Sequence, residues 1–529
     1  MDRSNKEREG IALTSIKPPG NELARSSKQP DPISSSLTEN LRRIESIYSA
    51  CDDLTILPWR YGPDLEHTAF SVYFETLVQQ KEFNYMKKSL QDLVTHEVGP
   101  GTTISPESVM AFFEHNGVSA QSHQLVDNFE QVVDNVADGH LLIFFNHWDK
   151  ALSYKAARLE TRQVTEAVSE PVVKGPREGT VEHLDKNIGM LRSRLKSPRF
   201  KIVTFSIKGE TNTKVAYGYL DGIVNADMLA EFQRRIGKLE EGEILETSYI
   251  EELIEDSTYS PFPQFRYTER PDTAVAALLD GKIIVLADGS GSIMICPGLF
   301  VEFLQSSEDY YQRTVYSSLI RFLRIIACLI ALLLPSIYIA LSTFHPELIP
   351  TILLLTIIDT REGIPFPAII EAVVMEFFFE LLREAGIRLP RPVGGAVSIV
   401  GALVIGESAM RAGIASPMMI IIVALTGIAS FSLPQYNFAI ALRVLRFPLM
   451  LSAALLGGYG LMIALILIWL HLINLRVLGQ PYLSPVGPFR PKQWRDVIVR
   501  APLKTLFQSL RYPSVRKRTN QLRRLAGKE

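Results

Sequence analysis

IIACLIALLLPSIYIALSTF, residues 325–344, is a run of twenty residues without a charge, directly behind Arg324. One α-helix needs about that length to carry the chain across a hydrocarbon layer of about 30 Å with its peptide groups bonded internally. Pro335 interrupts the run, but a proline is tolerated in a membrane helix as a kink. Everything before Arg324 reads as water-soluble protein, and apolar runs recur from there to Leu475. A formal net charge of −2 and a mean hydropathy of +0.12 hide this division, because they average a charged front half with a greasy back half. The expected architecture is an α/β soluble N-terminal domain of two related subdomains, followed by an α-helical multi-pass transmembrane domain.

Further apolar runs lie at residues 349–358, 367–382, 393–405, 417–433 and 447–475. Several are short or broken by Pro, Gly or charge, so not all of them cross independently. Behind them the tail is rich in Lys and Arg, from Arg490 to Arg524, against Asp496 and Glu529. By the positive-inside rule this tail is cytoplasmic. The N-terminal stretch is rich in Ser, Pro, Lys and Glu and has no apolar core of the secretory kind, so it is expected to be disordered and cytoplasmic. Two cytoplasmic ends require an even number of crossings. Four are expected, with residues 393–405 and 349–358 as half-helices or re-entrant elements.

PAIIEAVVMEFFFELLRE, residues 367–384, sets four carboxylates among aliphatic and aromatic side chains. A carboxylate at membrane depth costs roughly 2.5–3.5 kcal/mol on insertion scales. At 100° per residue Glu376, Glu380 and Arg383 share one face while Glu371 lies well away from it. Protein neighbours or water must therefore meet more than one side of this helix. One reading makes Glu371, Glu376 and Glu380 the lining of an aqueous, cation-attracting path in an oligomer. The other lays an amphipathic helix at the interface with its carboxylates in water. Just upstream, Gly363, Pro365 and Pro367 break the chain and would shape a pore mouth. Arg361 with Glu362, and Glu407 with Arg411, are expected to pair internally.

The soluble half repeats a pattern. AFSVYFETLV, residues 69–78, and AYGYLDGIV, residues 216–224, alternate as strands, and each precedes a helical stretch, at residues 82–94 and 226–236. Later an Asp-Gly turn introduces an apolar strand in both, at residues 138–145 and 280–287. The offset between the copies is nearly constant, so two versions of one α/β unit are expected. Asp288-Gly289-Ser290-Gly291 is a hairpin turn, since no GxxxxGK[ST] pattern surrounds it and no helix start follows. Cys51, Cys296 and Cys328 lack metal or disulfide spacing and read as buried thiols. No HExxH or GxSxG motif occurs, the histidines show no ligand spacing, and no nucleophile and base pair stands out, so no catalytic residues, metal or cofactor are expected.

Several stretches resemble the A subunit of bacterial spore germination receptors, the GerA type of germinant receptor. In the soluble half they are SEPVVKGPREG (169–179), YIEELIED (249–256), SPFP (260–263), TERPD (268–272) and SEDYY (307–311). In the apolar half they are REGIPFP (361–367), LLREAGIRLP (381–390) and VSIVGALVIG (397–406). The likeness runs from about Thr165 to Leu483. It implies an inner-membrane protein of the dormant spore, acting in a nutrient-gated homo-oligomeric cation channel with lipid around it. The partners it implies are a multi-pass B subunit that senses nutrients and a C subunit that is a lipoprotein, with no nucleic acid. A non-conducting scaffold that docks the sensing subunit is the alternative. Within SEPVVKGPREG, the charges of Lys174, Arg177 and Glu178 among Pro and Gly suit a clasp between subdomains or subunits, or a rigid linker. The expected divisions are residues 1–39 as a disordered segment, 40–164 and 165–310 as cytoplasmic subdomains, 311–478 as the transmembrane domain and 479–529 as the basic tail.

Overall fold

The computed structural model describes residues 31–61, 66–78, 123–155, 166–167, 169–239, 242–388, 404–488 and 494–504, with single positions at 107, 110, 111, 114 and 401. The helical stretch expected at 82–94 and most of 393–405 lie outside the described residues.

Strands β1 (Leu54–Tyr61), β2 (His67–Phe74), β3 (His123–Val126), β4 (His140–Phe145) and β5 (Ala151–Lys155) form one sheet in the order β1-β2-β4-β5-β3. Strands β6 (Phe200–Ser206), β7 (Lys214–Leu220), β8 (Arg266–Thr268), β9 (Ile283–Ala287) and β10 (Ile293–Cys296) form a second in the order β6-β7-β9-β10-β8. The two orders are the same, and every pairing within them is antiparallel. The first unit carries helices α1 (Leu37–Ile47) and α2 (Phe129–Ala137); the second carries α3 (Leu184–Arg194), α4 (Ala226–Ile236), α5 (Thr247–Ile254) and α6 (Pro271–Leu279). The equivalent helices α2 and α6 both end on Asp-Gly, with Gly139 at φ +80° and Gly281 at φ +81°. Glycine alone adopts this left-handed geometry without a Cβ penalty, so it stops the helix and turns the chain into β4 or β9. Asp288 to Gly291 connects β9 to β10 as an antiparallel hairpin, with Gly289 at φ +85°.

Residues 31–39 pack as part of the first unit. Phe129 N–H bonds Asp31 O at 2.9 Å, and α1 starts at Leu37 because Leu37, Leu41, Ile44 and Ile47 recur on one face against the first core. The two units are welded at the Cys51–Ile202 bridge and by a buried pair: Arg192 donates from Nε and Nη2 to both Asp53 oxygens at 2.8 and 2.7 Å. Cys51, Cys296 and Cys328 are all buried free thiols.

Helix α7 (Thr314–Phe344) begins the apolar half. Its charged first turns are not solvated: Arg321 and Arg324 both bind Asp309, at 2.9 and 2.8 Å, and Arg321 also binds Asp496 of the tail at 3.0 Å. Opposite them an exposed apolar stripe already starts at Val315, Leu319 and Phe322, ten residues ahead of the uncharged run. Helices α8 (Thr351–Arg361), α9 (Ala368–Arg388), α10 (Pro417–Phe431) and α11 (Tyr436–Asn474) follow. By length and composition α7 and α11 are apolar enough to cross a membrane.

Helix α11 is a hairpin. A straight helix of 39 residues would be about 58 Å long, yet both ends of this one touch the second α/β unit. Phe438 stacks on Phe303 with centroids 5.6 Å apart, and His471 Nε2 lies 2.9 Å from Ser260 Oγ. Its middle meets the far end of α7 instead. Gly457 leaves helical geometry at φ +60° and ψ −142°, and a Cβ there would sit 2.8 Å from Phe344. Residues 436–456 and 458–474 are therefore two legs. The chain that follows returns to the same α/β unit, where Tyr482 OH donates to Pro263 O at 3.0 Å. The apolar run at 447–475 expected from sequence starts one helical stretch too late, because Arg443 and Arg446 break the pattern while pairing with Glu380 and Glu376 of α9.

Candidate functional site

The carboxylates of α9 are met by arginines from two other helices, α8 and α11, and from α9 itself. Glu371 stands at the start of the helix, behind the turn that Gly363 (φ +85°), Pro365 and Pro367 impose after α8. Its Oε1 lies 3.0 Å from Arg361 Nη2 at the end of α8, and its Oε2 accepts the Ser416 backbone N–H at 2.9 Å. Ser416 caps α10 by accepting from Met419 N–H, so the carboxylate sits at the positive end of that helix. The expected Arg361–Glu362 pair is replaced by this one: Glu362 ends α8 facing outward, whereas Arg361 reaches back across the turn.

One and a half turns on, Glu376 Oε2 accepts from Arg446 Nη1 at 2.5 Å, with both side chains 1% exposed. Arg446 Nε also donates to the carbonyl of Ala331 in α7 at 2.8 Å. Glu380 binds Arg383 of its own helix at 3.0 Å and Arg443 of α11 at 3.1 Å, and remains about a third exposed. Arg383 reaches Ser430 of α10 at 3.4 Å and stacks on the rings of Phe379 and Phe431. Three carboxylates are thus met by four guanidiniums along about 13 Å of α9. Glu371 and Glu376 are each 1% exposed within the protomer, so their surroundings here are protein. Glu407 and Arg411 pair with each other at 2.5 Å on an exposed face, as their spacing predicts.

The partners of these carboxylates were not legible locally. Arg443 and Arg446 share a face of one helix that meets Glu380 and Glu376, spaced four apart, on a face of another; the matched spacing of three and four is the signal that could have found them.

A second polar region joins the soluble unit to the apolar helices. Gln435, the N-cap of α11, donates to Glu170 Oε1 at 2.8 Å, and Glu170 Oε2 accepts from the Thr268 hydroxyl of β8 at 2.6 Å. SEPVVKGPREG therefore runs along this junction. Gly175 (φ +128°) packs on the Tyr311 ring so closely that a Cβ would lie 2.6 Å from it. Arg177 is 3.3 Å from Glu166 and Glu178 is 2.5 Å from Arg194, all at the surface, and Lys174 is exposed. The buried ion pair between the two α/β units is that of Asp53 and Arg192, beside the Cys51–Ile202 bridge, and no local pattern marks it.

Helix α5 and its N-cap hold two carboxylates in opposite states. Burial pushes Glu251 up to about 7, against the Tyr267 hydroxyl that donates to it at 2.6 Å. Burial also pushes Glu246 up, but donors on Ser290, Thr247 and the Ser248 backbone outweigh it and hold the carboxyl down at about 2.

The family model described as Bacillus/Clostridium GerA spore germination protein matches residues 42–511. The chain is 40% identical to an uncharacterized membrane protein of Bacillus subtilis, YfkQ, over 90% of this chain and 91% of the relative. It is also 40% identical to spore germination protein KA of Bacillus subtilis, over 90% of this chain and 86% of the relative. The crystal structure of the N-terminal domain of the A subunit of the Bacillus megaterium spore germinant receptor GerK3 aligns with 52% of this chain and 99% of that one, at 23% identity and a TM-score of 0.39. The match spans both α/β units and the apolar helices, and on that extent the chain belongs to the GerA family of spore germination proteins.

Proposed function

We propose that the chain acts in spore germination as a membrane-embedded A-type subunit whose helices, assembled in several copies, supply a nutrient-gated path for monovalent cations. The supporting observation is the row of ion pairs that Glu371, Glu376 and Glu380 form along α9 with Arg361, Arg383, Arg443 and Arg446, packed between helices of membrane-crossing length. Ionisable groups at such depth are costly, and in membrane proteins they mark ion pathways. In the single protomer arginines neutralise the carboxylates, so this row of groups admits cations only once those pairs part. Glu371, Glu376 and Glu380 are then the lining groups, and the turn at Gly363, Pro365 and Pro367 forms the mouth. Lys174, Arg177 and Glu178, on the surface beside the junction, are the contact to a neighbouring copy.

The subunit works in the inner membrane of the spore, with both termini in the cytoplasm, beside a multi-pass B subunit and a C lipoprotein. Planar bilayers carrying the purified chain with those partners test the pore: germinant should evoke a cation current, and Glu371→Gln or Glu376→Gln should lower its cation selectivity. A second reading, a non-conducting scaffold that docks the sensing subunit, draws on the same pairing, because matched buried charges are also what static helix packing requires. Absence of current under every condition, with protein inserted, would decide for the scaffold.

A further inference from the structure

Pro335 has no N–H, so the carbonyl of Ala331, four residues earlier in α7, loses its helical donor. Arg446 replaces that donor with its Nε at 2.8 Å while its Nη1 holds Glu376. One guanidinium thus ties the proline hinge of α7 to α9 from its own place on α11. The tie is incomplete: among the described residues Arg446 Nη2 and Glu376 Oε1 are buried without a hydrogen-bond partner. Buried polar groups left short of partners gain by exchanging them, which suits a contact that has to break.

The same leg of α11 carries the link to the soluble unit. Gln435, its N-cap, is bonded through Glu170 to Thr268 of β8. From Gln435 to Arg446 is three helical turns, about 16 Å of stiff backbone. A shift of the second α/β unit against the bundle is therefore delivered to Arg446 along a single helix.

We propose that Arg446 is a latch on the Pro335 hinge of α7, and that the first leg of α11 is the rod by which the soluble unit releases it. The latch deepens the proposed gating and rests on that reading for its biological consequence. Its mechanics stand apart, because the two-state element is the hinge itself, with the Ala331 carbonyl either held by Arg446 or not.

Cys328, a buried thiol one turn before Ala331, reports on that hinge. The experiment follows N-ethylmaleimide labelling of the full chain in lipid nanodiscs, with each cysteine quantified separately by peptide mapping. Arg446→Gln and Glu376→Gln should each speed labelling of Cys328 about tenfold and leave Cys296, deep in the second sheet, unchanged. Adding Pro335→Ala to Arg446→Gln gives Ala331 a backbone donor again and should return the Cys328 rate to within twofold of the native chain. Unchanged Cys328 labelling overturns the latch. So does a joint rise at Cys328 and Cys296, which is general loosening, or a failure of Pro335→Ala to restore the rate. Spores carrying the same variants, at equal protein level, should germinate without germinant at least tenfold more often. Labelling as expected with unaltered germination would sink the functional reading and leave the latch standing.

Discussion

Two buried ion pairs of the same chemistry are built differently in the two halves of this chain. In the soluble half both carboxylate oxygens of Asp53 are bound by Arg192, whose third edge donates to Phe200 O at 2.7 Å. The guanidinium is also sandwiched between the rings of Phe74 and Phe200, 4.2 and 4.8 Å from their centroids. In the apolar half Glu376 and Arg446 are as deeply buried, yet share one hydrogen bond and leave an oxygen and a nitrogen unpartnered among the described residues. A saturated pair has nothing to gain by moving, and it fixes the α/β units as one body. An unsaturated pair in the same low dielectric keeps alternatives open.

The largest expected effect follows from the saturated pair. Asp53→Asn removes the charge opposite a fully buried guanidinium, and breaking such a pair costs about 3–5 kcal/mol. The full chain in detergent should then unfold its soluble half at much lower denaturant, read as trypsin cleavage between the units. Glu376→Gln should cost less, about 1–3 kcal/mol, because the native pair already bears part of the penalty for unpartnered groups. Equal losses from the two substitutions would erase the contrast.

Next in size is the turn of α11. Gly457 lies in a region of backbone space that side chains avoid at about 1–3 kcal/mol, and its missing Cβ leaves room for Phe344. Gly457→Ala should lower the thermal midpoint of the apolar half and speed carbethoxylation of His345, whose Nε2 a Cβ there would crowd at 3.2 Å. A neutral Gly457→Ala would mean that residues 436–474 run on as one helix and that the two legs are wrong.

These contrasts follow how far the residues speak for themselves. The paired strands and the two Asp-Gly stops were legible because alternation and left-handed glycines are local, and both copies have the same strand order. The carboxylates of α9 were legible as a problem, since charge in a greasy helix demands partners. Their solution was not, because Arg361, Arg443 and Arg446 are set by the packing of separate helices. Arg443 and Arg446 even misled, since they trimmed the apolar run to its last 29 residues. Asp53 and Arg192 were silent for a related reason: 139 residues separate them, and each looks like an ordinary surface charge until the two sheets meet.

The smallest effect expected is one of pH, and it separates two carboxylates of α5 and its cap. Glu251 titrates near 7 when folded, against about 4.3 in an unfolded chain. Between those values the folded state holds the extra proton, so its contribution favours folding below about pH 4 and is lost as pH rises toward 7. Glu246, held at about 2, has the opposite sign: its contribution is present above about pH 4 and is lost as pH falls toward 2. Glu251→Gln should therefore flatten the decline in denaturant midpoint between pH 5 and 7, whereas Glu246→Gln should flatten only the acid limb. If Glu251→Gln left the neutral limb as steep as before, the proton would reside elsewhere, and the desolvated pocket under Tyr267 would have to be wetter than its packing implies.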